Sequence, residues 1–195
     1  MSRTYELSAV NETGKSGTFC LFQADVSMGG RGLSLAWMTK MVPAKATAAF
    51  RWETAYQFVA GKMELRPGAV FKTSSKVDAD PVSQNLATLG NGASPSFQGV
   101  SSGGRRGSLT ISTDASISGN GLATGIGMNG SPLYVDVARP MMSYVHSTEP
   151  HYRLAFGTFN PGEALDPSLS STDVTFPANR FALTVTLNAD GSWTV

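Results

Sequence analysis

This sequence predicts an all-β fold, a single antiparallel β-sandwich of jelly-roll type spanning residues 1–195 with long Gly/Ser-rich loops. Three observations carry the prediction. Apolar and polar residues alternate with a period of two in several separate stretches, hardly any stretch repeats with a helical period, and glycine-rich turn signals punctuate the chain. A chain of 195 residues is also long enough for one well-buried core, and sandwiches of this size are commonly one domain.

In order along the chain, β-rich stretches fall first at residues 5–10, 18–23 and 33–41. Tyr5, Leu7 and Ala9 alternate with Glu6, Ser8 and Val10, which offers one face to a sheet and is expected to leave edge backbone groups available to another copy. Thr18, Cys20 and Phe22 share a face opposite Phe19, Leu21 and Gln23, which places Cys20 in the interior. Residues 46–58 alternate best: Ala46, Ala48, Phe50, Trp52, Tyr56 and Phe58 occupy even positions, with Arg51, Glu53 and Gln57 on odd ones. A helix would scatter those aromatics around its circumference. Because the run is long for one strand, a bend or bulge is expected near Glu53 and Thr54.

Further strands are expected at residues 69–77, 107–113, 152–159 and 181–187. Between residues 82 and 107 the composition shifts to Gly, Ser, Asn and Pro, in GNGASPS and SSGGRRG, which reads as a long excursion or a pair of flexible loops. At the end of the chain Phe181, Leu183, Val185 and Leu187 alternate with Ala182, Thr184 and Thr186. Asn188-Ala189-Asp190-Gly191 then turns the chain into Trp193-Thr194-Val195, a hairpin.

One stretch, GIGMNG at residues 125–130, matches GxGxxG. A dinucleotide loop needs a strand before it and a helix after it, because the helix N-terminus holds the pyrophosphate. Here Leu133, Tyr134, Val135 and Val137 follow, a β-branched and aromatic run. The glycines therefore shape a turn between two strands.

Composition excludes more than it assigns. Charged residues make up 15% of the chain and the formal net charge is +1, so no field steers it toward nucleic acid or an anionic membrane surface. Cys20 is the sole cysteine, which rules out an intramolecular disulfide. The N-terminal stretch lacks an apolar signal core and no stretch is long enough to span a bilayer, so synthesis in the cytoplasm without a signal peptide is expected.

The candidate chemistry is sparse. His146 and His151 flank Glu149 in HSTEPH and read as surface loop histidines, since no further ligands complete a metal shell. Asp78 and Asp80 in VDADP read as a polar turn rather than an acid–base pair. Arg105 and Arg106, in a glycine-rich loop, are candidates for holding a phosphate or sulfate, though they also read as a solvated loop tip, as does Arg31. No nucleophile elbow, P-loop or calcium loop is present. The expectation is a protein without catalytic residues, cofactor or metal.

NETGKSGTFCLFQ at residues 11–23 resembles the start of the RhiA-like proteins, a family named for a rhizosphere-expressed protein of root-nodule bacteria. FRWETAYQFV, GIGMNGSP, the ARP at residues 138–140, HYRLAFGTF and the closing TVTLNADGSWTV continue the resemblance in order along nearly the whole chain. MMSYVHSTEP at residues 141–150 lies outside these motifs. The resemblance implies a soluble protein without a signal peptide and without an established enzymatic activity, and it brings no catalytic residues.

Two functions are expected from surface chemistry. The first is a structural protein that self-assembles into an extended homopolymer, an extracellular fibre or ribbon. Few charges mean little repulsion between copies, and the ELSAV and WTV strands lack the lysines and prolines that guard sheet edges. Tyr5, Leu7, Ala9, Trp193 and Val195 are its candidate contacts. The second is a binding module for a small ligand such as a glycan or lipid, resting on Trp37, Trp52, Tyr56 and Trp193 as residues of a groove.

Overall fold

The computed structural model describes residues 3–24, 26–29, 32–92, 94–118 and 121–195, and among these there are strands but no helix. In chain order the strands are β1 (Thr4–Asn11), β2 (Gly17–Gln23), β3 (Leu33–Ser34), β4 (Met38–Val42), β5 (Thr47–Glu53) and β6 (Tyr56–Lys62). There follow β7 (Lys72–Ala79), β8 (Leu86–Asn91), β9 (Pro95–Ser101), β10 (Ser108–Thr113), β11 (Leu122–Met128) and β12 (Ser131–Val137). The last are β13 (Ser143–Ser147), β14 (Tyr152–Gly157), β15 (Thr172–Val174), β16 (Ala182–Leu187) and β17 (Trp193–Thr194).

They form four sheets, in the orders β17-β16-β1-β5, β15-β14-β2-β4, β13-β10-β8-β9 and β3-β12-β11-β6-β7. Pairing is mostly antiparallel, with parallel ladders between β1 and β16 and between β8 and β10. The fold is all-β and sandwich-like: apolar side chains from all four sheets converge on one principal core. At its centre Tyr5, Trp52, Tyr152 and Phe176 touch one another, with ring centroids 4.9–6.2 Å apart. Trp37 stands against Trp52 and Tyr152. The buried indoles find acceptors, Trp52 Nε1 donating to Tyr152 Oη at 3.0 Å and Trp37 Nε1 to the Met128 carbonyl at 2.9 Å. The opposite faces of two sheets are covered by irregular chain. Met63, Phe71 and Ala164 close over Val59, Ala123 and Val135, while Leu165 and Phe159 close over Cys20, Phe22 and Ala155.

The glycine motif is a hairpin between β11 and β12. Asn129 and Gly130, with φ of 53° and 85°, are the two central residues of its turn, and an Asn-Gly pair adopts that left-handed backbone at low cost. Gly125 serves packing instead: a Cβ there would lie 1.9 Å from the Tyr134 carbonyl oxygen of the paired strand.

Several expectations need correction. The alternating run at residues 46–58 does break near Glu53 and Thr54, but it breaks completely, and β5 and β6 enter different sheets. The stretch 33–41 divides into β3 and β4 where Ala36 and Trp37 turn inward as buried residues. Residues 82–107 contain β8 and β9; β8 buries Ala87 and Leu89, while the polar surface of β9 gives it the composition of a loop. The N-terminal strand is not an edge. β16 pairs with one side of β1 and β5 with the other, so its ladder positions are filled within the chain and Tyr5, Leu7 and Ala9 are buried.

Candidate functional site

Each sheet ends in two strands whose outer backbone groups need a partner, water or a guard. The outer edge of β5 is approached by Lys40, whose Nζ donates to the Ala49 carbonyl. The β13 edge is occupied by residues 26–28, through Met28 N to Val145 O and Ser147 N to Val26 O, and that of β3 by Leu165 N to Ser34 O. Lys72 and Lys76 stand exposed on β7, Lys40 on β4. Pro95 opens β9, Gly99 takes a φ of 62° within it, and its register with β8 shifts. Asp173 on β15 carries a charge, 3.1 Å from Arg153 Nε. β17, two residues long, has no lysine, proline or charged side chain in Trp193 and Thr194 or in Val195 after it, and Val195 is 56% exposed.

Beside β17 lies a groove of about 530 Å³ lined by Thr13, Lys15, Phe156, Leu187, Asp190 and Trp193, among others. Local sequence builds each wall. Asn11, fully buried, fixes the NETGK turn: its Nδ2 donates to the Lys15 and Pro43 carbonyls, and its Oδ1 accepts from Thr13 N and Oγ1. Gly17 leaves room for Phe156, whose ring Cζ would sit 2.4 Å from a Cβ at that position. Phe156 meets Phe19 with ring centroids 5.0 Å apart and planes tilted by 57°, and Trp193 lies 6.2 Å from Phe19. The opposite wall is the β16–β17 turn, where Gly191 takes a φ of 86°. Asp190 Oδ1 accepts from Ser192 N and Oγ, and these hydrogen bonds hold its carboxyl below the usual range. Phe156, Leu187 and Trp193 make its lining partly apolar, and Lys15 and Asp190 add one charge of each sign. Such a site can take an apolar group flanked by charges, or an extended strand added to β17.

Of the four aromatics expected at a groove, only Trp193 lines this one; Trp37, Trp52 and Tyr56 are core residues. Sequence reasoning missed Phe156, Lys15, Leu187 and Asp190, although the two turns that frame the groove, NETGK and NADG, were readable as turns.

The remaining candidates lie elsewhere. Arg105 and Arg106 are exposed on a loop held by buried Asn85, whose Nδ2 donates to the Gly104 and Arg105 carbonyls and whose Oδ1 accepts from Gly104 N. Arg31 falls outside the described residues. Asp80 caps a turn, accepting from Val82 N and Ser83 N, and Asp78 Oδ1 accepts from Gln57. Cys20 is fully buried, and burial, with the Glu163 charge adding to it, pushes the thiol up to about 12. No group of three or more His, Cys, Asp or Glu side chains converges among the described residues.

The reading of both histidines as surface loop residues is corrected for His146. It lies on β13 fully buried against the Tyr134 ring, and neither ring nitrogen has a hydrogen-bond partner among the described residues. The alternation of β13, hidden by its polar flanks, turns this side chain inward. Burial lowers its pKa from 6.5 to about 4. The unfolded chain takes up a proton as pH falls through 6.5 whereas the folded chain does not until about 4, so stability is lost across that window. The expected loss is about 3 kcal/mol by pH 4. Urea unfolding at pH 7 and pH 4 measures it, and His146→Leu should reduce the difference by that amount.

A family model described as RhiA matches residues 2–195, nearly the whole chain. No curated protein and no solved structure matches.

Proposed function

This chain belongs to the RhiA family, and from that premise we propose that it is a non-catalytic structural protein that self-assembles into an extended homopolymer, an extracellular fibre or ribbon, growing at the β17 edge and its groove. The observation that carries this reading is that β17, at the end of its sheet, presents no lysine, proline or charged side chain while a groove with Phe156, Leu187 and Trp193 in its lining opens beside it. A net charge of +1 on 195 residues adds little repulsion between copies.

The variant Val195→Lys places the usual guard on this edge at an exposed side chain. It is expected to raise the concentration at which assembly sets in by about tenfold, equivalent to about 1.4 kcal/mol per junction. Sedimentation velocity over a dilution series checks this. Unchanged assembly by a folded Val195→Lys protein would count against β17 as the growing edge.

A second reading draws on the same groove. The Trp193 and Phe156 rings beside Thr13, Lys15 and Asp190 combine an apolar platform with polar groups, the composition of a glycan or lipid site. Quenching or shift of Trp193 fluorescence by members of a glycan and lipid panel favours it, and a panel without response removes it.

A further inference from the structure

We propose that the occupant of the Trp193 groove is the turn at residues 138–142 of a second copy, inserted head to tail. The inference rests on the self-assembly reading above and names the surface that completes its junction. The turn carries Met141 and Met142, 74% and 47% exposed, at its tip. Met141 takes a φ of 54°, a left-handed backbone that an apolar side chain rarely adopts and that asparagine or glycine would hold at lower cost. Neither solubility nor local conformation explains a methionine there.

The fold holds this tip firmly. Thr113 Oγ1 accepts from Met142 N at 2.9 Å, and the same hydroxyl lies within hydrogen-bond distance of the Arg139 carbonyl. Arg139 N donates to Tyr144 Oη at 2.8 Å, and that hydroxyl donates to the Val137 carbonyl at 2.8 Å. Met141 N reaches the Asp114 carbonyl at 3.4 Å. An apolar tip kept in an unfavourable conformation by this many hydrogen bonds is preorganised for contact, so little conformational freedom is lost when it docks.

Charge argues for a second copy as the partner. Arg139, exposed, belongs to the turn itself, and the groove lining includes Asp190 as well as Lys15. A tip that enters the groove brings the Arg139 cation to the Asp190 carboxylate. Methionine thioethers also make favourable contacts with aromatic rings such as Trp193 and Phe156. Tip and groove are different surfaces of one chain, so the contact is heterologous, and unless the rotation closes a ring it propagates as a filament.

The test mixes two blocked proteins. Met141→Asn removes the apolar tip and suits the left-handed backbone, so the variant should be at least as stable as wild type. Ser170→Trp fills the groove from an exposed position on its wall. Near-ultraviolet circular dichroism confirms that both are folded. Sedimentation velocity should show each variant alone as a monomer and their equimolar mixture as a dimer, twice the monomer mass and no larger, because each pair retains one intact junction. Assembly of either folded variant like wild type, or a mixture that stays monomeric, overturns the junction while leaving self-assembly standing. A wild-type protein that is itself monodisperse across pH and salt overturns both.

Discussion

Deletion of residues 1–10 should abolish folding rather than merely prevent assembly. β1 is the element that joins β5 to β16 and β17, pairing with Glu53 through Thr47 on one side and with residues 182–187 on the other. Without it the sheet that carries the candidate groove falls into two pieces. Its inward residues are core residues: Leu7 and Ala9 are 1% and 0% exposed, and Tyr5 touches Trp52, Tyr152 and Phe176. Burying Leu7 and Tyr5 contributes about 2 kcal/mol each, and the two ladders add hydrogen bonds that the shortened chain would leave open. Since whole domains are stable by about 5–15 kcal/mol, losing both ladders and this packing exceeds what the fold can absorb. The truncated protein is expected to show no near-ultraviolet dichroism and no cooperative thermal transition. A soluble, cooperatively folded product would mean that β1 is dispensable and available for exchange between copies.

Gly125→Ala is expected to destabilise the protein by about 4 kcal/mol, a large effect for one methyl group. Strand propensity alone argues the opposite sign, since replacing an interior glycine by alanine gains about 0.5–1 kcal/mol. The difference lies in the neighbour. The new Cβ would sit 1.9 Å from the Tyr134 carbonyl oxygen and 2.8 Å from Val135 Cα, both backbone atoms of the paired strand, so β11 and β12 must separate locally. β11 is buried along its whole length, which leaves no solvent side toward which it can relax. Gly92→Ala is the control, since nothing lies within 4 Å of a Cβ there. Urea unfolding of the three proteins measures the effect, and a neutral or stabilising Gly125→Ala would remove the packing account of this motif.

The strands that alternate cleanly were legible in the sequence, and the reason is that one of their faces is core and the other solvent. β5 reads as alternately exposed and buried, and so its period is visible in TAAFRWE. β8 and β9 were hidden because small residues fill the one and polar residues cover the other. His146 was misread for a related reason: local polarity in YVHSTEP does not record the Tyr134 ring that covers it from a strand ten or more residues away. The place of β1 between β5 and β16 could not be read, because pairing partners distant in sequence leave no local trace. The groove was half legible. Its two turns and Trp193 stand in plain motifs, whereas Phe156 joins them only because Gly17, on another strand, makes room.

Negative-stain electron microscopy of dilute purified protein, across a range of pH and salt, tests self-assembly most directly. The account predicts filaments or ribbons for the wild type and their loss at the same concentration in folded Met141→Asn and Val195→Lys proteins. Monodisperse single particles of the wild type under every condition would contradict it.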